Sequence, residues 1–246
     1  ETSRKRPRLI VECAYYIIAI SFFLYLFQYF WTTEGGPTLL AMTLVPVTFA
    51  LFVLNCLREN DLYPRLPYAA NIVIAAVYIA LALAIAYYMH TEYYALGAER
   101  VGYWNWTDLL MGTAMAGLVM EYARKRHMPL FILNIALILY AVYGYAVPGI
   151  FGHGGLSWWR VGTAMSVETA TGVFSNLPQI ALTVIASFLL VLSVLSGFGA
   201  IESLLRATKS VAIRSPHALP QSAVVGSMCV GTISGSGAAN AITIGS

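Results

Sequence analysis

The residues whose types and spacing carry most chemistry lie near the end of the chain, in Gly231-Thr-Ile-Ser-Gly-Ser-Gly237 followed by Asn240. They sit inside 223–246, where fifteen of 24 residues are Gly, Ala, Ser or Thr, with no charge and no proline. If 223–233 is a half-helix, carbonyls near Thr232 to Ser234 lose their intrahelical partners at its end and become natural cation ligands. Gly235 and Gly237 let the chain reverse at conformations other residues avoid, and Ser236 can cap a returning half-helix. Asn240, one turn on, has the only side-chain amide of the stretch and both donates and accepts hydrogen bonds. Broken helices of this kind hold cations on freed carbonyls and attract anions to a half-helix N-terminus. The candidate metal site is a cation held by backbone near Thr232, Ser234 and Ser236. A second reading stands beside this one, in which the small residues only let neighbouring helices approach closely.

Other candidate groups point away from catalysis. His90, His127, His153 and His217 fall in loops or at the ends of apolar blocks and form no cluster in the sequence. Cys13, Cys56 and Cys229 show neither metal-ligand nor redox spacing. No Ser or Thr is accompanied by a His or an acid at a spacing that suggests nucleophilic catalysis, so the chain does not read as an enzyme. A phosphate-binding loop is excluded at the Gly-Ser run because no Lys follows it and no strand precedes it. Glu12 and Asp108 lie near the ends of apolar blocks and read as anchors reaching headgroups or water. Asn71 and Asn134, inside blocks, read as interhelical hydrogen-bonders. Asn105-Trp-Thr107 matches a glycosylation sequon, which reads as a chance match.

The elements that must position the Gly-Ser run are apolar blocks. The chain is 59% hydrophobic and 10% charged, against about 25% charged in a soluble domain. Crossing roughly 30 Å of hydrocarbon takes about 20 apolar residues, and six stretches approach that length: Leu9 to Trp31, Pro37 to Leu57, Tyr68 to Met89, Trp104 to Met120, Met128 to Val147, and Pro178 to Leu195. Backbone hydrogen bonding in lipid makes each a helix, and the ten-residue alternation of a transmembrane barrel is not visible. The fold class is therefore an all-α integral membrane protein with about six transmembrane helices, surrounded by membrane lipid.

Twelve of the fourteen Lys and Arg fall on one side of this arrangement, with only Arg100 and Arg160 on the other. The positive-inside rule then makes the N-terminus cytoplasmic. Trp31, Trp104, Trp106, Trp158 and Trp159 all land on the outer side, where indole rings favour the interface. The net charge of +3 comes from these clusters flanking apolar blocks, which argues for membrane anchoring and against nucleic acid as a partner. The first residue is Glu and no cleavage site follows the first block, so it does not read as a signal peptide; the start reads as trimmed.

Two segments are neither spans nor simple loops. Over 199–215, Ile201, Leu204, Leu205 and Val211 recur at helical spacing while Glu202, Arg206 and Lys209 share another face, which predicts an interfacial arm helix on the cytoplasmic side. The Gly-rich outer segment Pro148 to Ser175, with its Trp pair, predicts a second interfacial helix less strongly patterned than the first.

The stretch Ala223-Val-Val-Gly-Ser-Met-Cys-Val-Gly-Thr-Ile-Ser-Gly-Ser-Gly-Ala-Ala-Asn240 resembles the first re-entrant hairpin of the large membrane subunit of tripartite ATP-independent periplasmic (TRAP) transporters, in the TAXI subgroup whose membrane subunits are fused. Met120-Glu-Tyr-Ala-Arg-Lys-Arg126, Leu139-Tyr-Ala-Val-Tyr-Gly144 and Pro148-Gly-Ile-Phe-Gly-His-Gly154 resemble the region joining that subgroup's small-subunit-like and large-subunit-like parts. The likeness is distinct from about Asp108 onward. Two departures stand out: the usual Thr-Thr-Glu-Gly is Thr169-Ala-Thr-Gly172 here, leaving Glu168 as the substitute acid, and the usual Gly-Gly-Pro-Ala-Lys is His217-Ala-Leu-Pro-Gln221.

The resemblance implies an elevator-type secondary transporter of the bacterial inner membrane, importing a small organic anion with a sodium or proton gradient. A periplasmic substrate-binding protein would deliver the substrate. It divides the chain into a small-subunit-like scaffold, 1–126, and the start of a large-subunit-like transport part, 127–246, with the first hairpin at 223–246. It carries Ser234, Gly235, Ser236 and Asn240 to positions lining the ion and substrate site. Relatives continue past the first hairpin into a second inverted repeat, so a longer natural polypeptide is expected. Two rival readings remain: an inverted-repeat carrier without a binding protein, and a non-transporting scaffold or assembly subunit.

Overall fold

A computed structural model of the chain describes residues 2–200 and positions 203, 206, 224, 227, 228 and 231. Among the described residues all regular structure is helical and there is no strand. The principal helices are α1 (Thr2–Thr32), α2 (Gly36–Glu59), α3 (Tyr68–Thr91), α4 (Trp106–Arg126), α5 (Met128–Tyr143), α6 (Trp158–Ser166), α7 (Asn176–Ile180) and α8 (Ala186–Gly197). Five stretches are long and apolar enough to cross a membrane: Leu9–Thr32, Gly36–Glu59, Tyr68–Thr91, Met128–Ala146 and Gly172–Gly197. They coincide with five of the six expected spans. The sixth, expected at Trp104 to Met120, is a helix of 21 residues, about 31 Å long at 1.5 Å per residue. It is not among the stretches that qualify by apolarity. Asp108 near its start and Glu121 near its end account for this, and Asp108, Gly112, Met115 and Leu118 are buried against protein.

Helix boundaries follow local chemistry. Gly35, in the left-handed region at φ 69°, precedes α2 with Pro37 in its first turn, and Asn60 at φ 58° ends it by donating to the Cys56 and Leu57 carbonyls. The Pro67 and Pro129 rings start α3 and α5 where a missing N–H costs least. Ser157 accepts the Arg160 N–H at the start of α6.

The chain forms two compact units, Glu1–Gln179 and Ile180–Ser246. In the first, α2 is the central element, packed against α1, α3 and α4, and α4 also packs on α5 and α6. Phe49, Val53, Ala82, Ile85, Met89 and Met115 meet in its core. Between helices in lipid the driving force is close packing, and Gly112 shows it: a Cβ there would lie 2.8 Å from that of Ser166, so the glycine lets α4 and α6 touch. The helix expected somewhere in Pro148 to Ser175 is α6, with Val161, Thr163 and Ser166 buried.

The second unit opens with a wide helical turn, Ala181–Ile185, and α8, which stops where Gly199 takes φ 70°. Ser187 and Ser193 donate to the Val184 and Leu189 carbonyls, which satisfies both hydroxyls within an apolar helix. The expected arm helix, 199–215, falls mostly outside the described residues; Ser203 and Arg206 are helical.

The readings of two amides within apolar helices change. Asn71 is buried and donates to the Tyr63 carbonyl of the loop before α3, and Asn134 donates to Leu130 in its own helix, so neither bridges two helices. Each found a nearby backbone carbonyl within reach of its own element.

Candidate functional site

Thr232, Ser234, Gly235, Ser236, Gly237 and Asn240 lie outside the described residues, as does His217. Just upstream of them, Val224, Ser227, Met228 and Gly231 are helical. Among the described residues, polar side chains cluster at the two ends of the first unit.

At the end rich in tryptophan, Asp108 is fully buried. Tyr88 Oη donates to Asp108 Oδ1 at 2.6 Å, Arg100 Nη2 to the same oxygen at 3.0 Å, and the Asn105 N–H to Oδ2 at 2.8 Å. Arg100 also pairs with Glu92 at 2.7 Å. The reading of Asp108 as an anchor in headgroups or water is thereby corrected: three donors replace the water that an exposed carboxylate would need. The hydrogen bond that Arg100 donates to Glu92 holds its proton more firmly than usual, against the opposing effect of burial. Chemically this is a clamp. It fixes the connection between α3 and α4, while Tyr93 ties the same connection to the turn before α2 by donating to Gly35 O at 2.9 Å. The sequence signal for it was Asn105-x-x-Asp108, the spacing of a capping box at a helix start.

The other cation of this end is also paired. Arg160 donates to Glu168, and Thr171 donates to the second Glu168 oxygen at 3.1 Å. Gly172 follows at φ 73°, and a Cβ there would strike the Ala164 and Met165 carbonyls. The nearby motifs that resemble the joining region also meet. Tyr140 Oη donates to Phe151 O at 2.6 Å, and the His153 ring stands edge-on to Tyr140 at 4.8 Å and occupies the space a side chain at Gly144 would need.

At the opposite end lie Arg58, the loop 60–67 and the close of α4. Tyr63 Oη donates to Glu121 at 2.6 Å, and Arg124 grips Glu121 with two bonds of 2.7 Å. Burial and the Glu121 carboxylate together push the Tyr63 hydroxyl well above its usual pKa. Lys125 donates to Leu62 O and stands over the Tyr63 ring, 3.8 Å from its centre. Burial lowers its pKa, with Glu121 opposing. Arg126 is within 3.9 Å of Glu59 and 3.7 Å of Asp61. No group of His, Cys, Asp and Glu suited to a metal ion occurs among the described residues.

Comparison with known families supplies what geometry alone does not. The family model described as Tripartite ATP-independent periplasmic transporter, DctM component, matches residues 112–246, more than half of the chain. The chain belongs to the DctM family. Neither curated proteins nor solved structures gave a match. The DctM match begins inside α4, just past the Asp108 clamp, and takes in the Gly-Ser run. DctM proteins are transporter components, and the multiple apolar helices make this one a multi-pass membrane protein.

Proposed function

We propose that this DctM protein is the membrane permease part of a TRAP transporter of the fused TAXI type, taking up an organic carboxylate delivered by a periplasmic binding protein. The observation that carries the reading is the DctM match running through 223–246, where the sequence places a helix break suited to an ion and an anion. The helices ahead of α4 supply a small-subunit-like scaffold upstream of the matched region. Glu168, bonded to Thr171 beside Gly172, stands in this reading for the acid of the TAXI motif. The cationic end faces the cytoplasm of a bacterial inner membrane, by the distribution of Lys and Arg. Ser234, Gly235, Ser236, Gly237 and Asn240 line the site, and sodium binds to backbone carbonyls near Thr232 and Ser234. The elevator motion, the direction of transport and sodium as the coupling ion rest on the resemblance.

The test is uptake by the complete permease in liposomes, with and without its binding protein and a sodium gradient. Ser236→Ala and Asn240→Ala are expected to weaken uptake and raise the apparent Kd for sodium while membrane insertion is unchanged. A small-residue packing helix would tolerate Ser→Ala almost silently, so normal uptake and ion dependence in both variants would overturn the site. Uptake that ignores the binding protein would overturn the TRAP reading.

A further inference from the structure

Along the seam of α1, α2 and α4 runs an apolar cavity of about 460 Å³, within the range of roughly 300–1,000 Å³ typical of ligand sites. Its wall on α2 extends from Val45 to Asn55, eleven residues and therefore about 15 Å at 1.5 Å per residue. That is half of the roughly 30 Å hydrocarbon core, the depth of a single leaflet. Phe49 and Phe52 form this wall, Met115, Val119 and Tyr122 face them from α4, and Tyr15 closes the α1 side. The cavity begins near the middle of α2 and leads toward the cation-rich end.

At that end it meets a second, polar cavity of about 310 Å³, the two sharing Asn55. Arg58, Glu12 and Glu59 line it together with Asn60 and Tyr68. The Arg58 guanidinium stacks over Tyr15 at 4.8 Å and makes no ion pair with any described residue. Arg126 flanks the apolar cavity 5.5 Å over Phe52 and, unlike Arg58, is ion-paired, at 3.9 Å from Glu59 and 3.7 Å from Asp61. An arginine held flat on an aromatic keeps its edge donors available for a phosphate, while Glu12, and Glu59 beyond its 2.9 Å bond from Asn55 and its 3.9 Å approach to Arg126, suit a positive group.

We infer that this groove is a binding site for an amine-bearing zwitterionic phospholipid of the phosphatidylethanolamine type. One acyl chain lies between α2 and α4, the phosphate meets Arg58, and the ammonium meets Glu12 and Glu59. The length of the apolar part, its termination at the charged end and the mixed charge of the mouth each match this one occupant. A basic pocket between helices at the membrane surface is a recurrent form of headgroup recognition. Here the carboxylates select a headgroup that can donate hydrogen bonds, which choline cannot do and glycerol does without charge.

The experiment is native mass spectrometry of the complete permease, delipidated in detergent and titrated with phosphatidylethanolamine, phosphatidylglycerol or phosphatidylcholine of equal chain length. The expected result is one tightly retained phosphatidylethanolamine per chain. Loss of the charged hydrogen bonds in Arg58→Gln is expected to weaken retention about tenfold, whereas Arg160→Gln at the other end leaves it unchanged. Val119→Phe, which narrows the acyl cavity, is expected to reduce retention as well. Should that variant not fold, the Arg58→Gln titration still decides. Equal retention in Arg58→Gln, or preference for either other lipid, would overturn the assignment, as would a polypeptide segment found in the groove of the complete permease.

Discussion

The two ends of the first unit handle charge in opposite ways. At the tryptophan-rich end both cations are matched to carboxylates, Arg100 to Glu92 and the buried Asp108 and Arg160 to Glu168. At the other end, among the described residues, Arg58 stacks on an aromatic without an ion pair, and Lys125 is satisfied by a carbonyl and a ring. The first end spends its charges on holding loops in place, and the second leaves positive charge over at the membrane boundary. A rule that counts Lys and Arg by side reads only the second kind. The structure adds that the two exceptions to the count are neutralised locally, so they weigh little against the orientation.

The comparison breaks most sharply under labelling from one side. In a background without native cysteines, Arg65→Cys is expected to react with an impermeant thiol reagent only from the cytoplasm, and Gly154→Cys only from outside. Both positions are exposed, and a side chain at Gly154 meets nothing within 4 Å. The effect is all or none. Labelling of both from the same side would remove the distinction between the two ends.

The next largest effect belongs to the clamp. Asp108→Ala leaves the Arg100 charge and the Tyr88 and Asn105 donors without their shared acceptor, and breaking a buried pair from one side typically costs about 3–5 kcal/mol. Thermal unfolding of the detergent-solubilised protein is expected to fall steeply in this variant. Replacing both partners, as Arg100→Met with Asp108→Leu, is expected to recover part of the loss because no buried charge is then stranded. A double variant no better than Asp108→Ala would mean that the geometry of the three donors, rather than the stranded charge, governs this end.

Five spans were legible from block length and apolarity, because in lipid the backbone leaves no alternative to a helix. The α4 helix was legible as a helix, but its shelter was not: that depends on α6 touching Gly112, and α6 starts more than thirty residues after α4 ends. The burial of Asp108 is illegible in the sequence for a related reason. Its capping role is local and visible in Asn105-x-x-Asp108, while burial comes from Tyr88 and Arg100, brought in by the fold of the intervening connection. Tyr140 and Gly144 meet Phe151 and His153 in the fold, a contact that the likeness of these motifs to a family region does not disclose. The Gly-Ser run was legible because a helix break is written in small residues and glycines, which requires no distant partner to be seen.

The smallest expected effect tests the charged end through pH. Glu121 lies just past the apolar stretch of α4, and burial by itself would raise its pKa; the bonds from Arg124 and Tyr63 outweigh burial and hold it below the ordinary carboxylate value. A carboxylate depressed in the folded state contributes stability that is fully present above its unfolded pKa and is lost as pH falls through the lower, folded one. The permease is therefore expected to lose a modest increment of thermal stability on acidification through the carboxylate range, and Glu121→Gln should lack that increment at neutral pH. Arg124 is 43% exposed, so solvent screens the pair and the increment stays small. Tyr63→Phe removes one of the two donors and is expected to shift the acid-side loss toward higher pH. An acid-side loss in Glu121→Gln matching that of the parent would place the titrating group elsewhere and leave the Arg124 pair a surface contact without consequence.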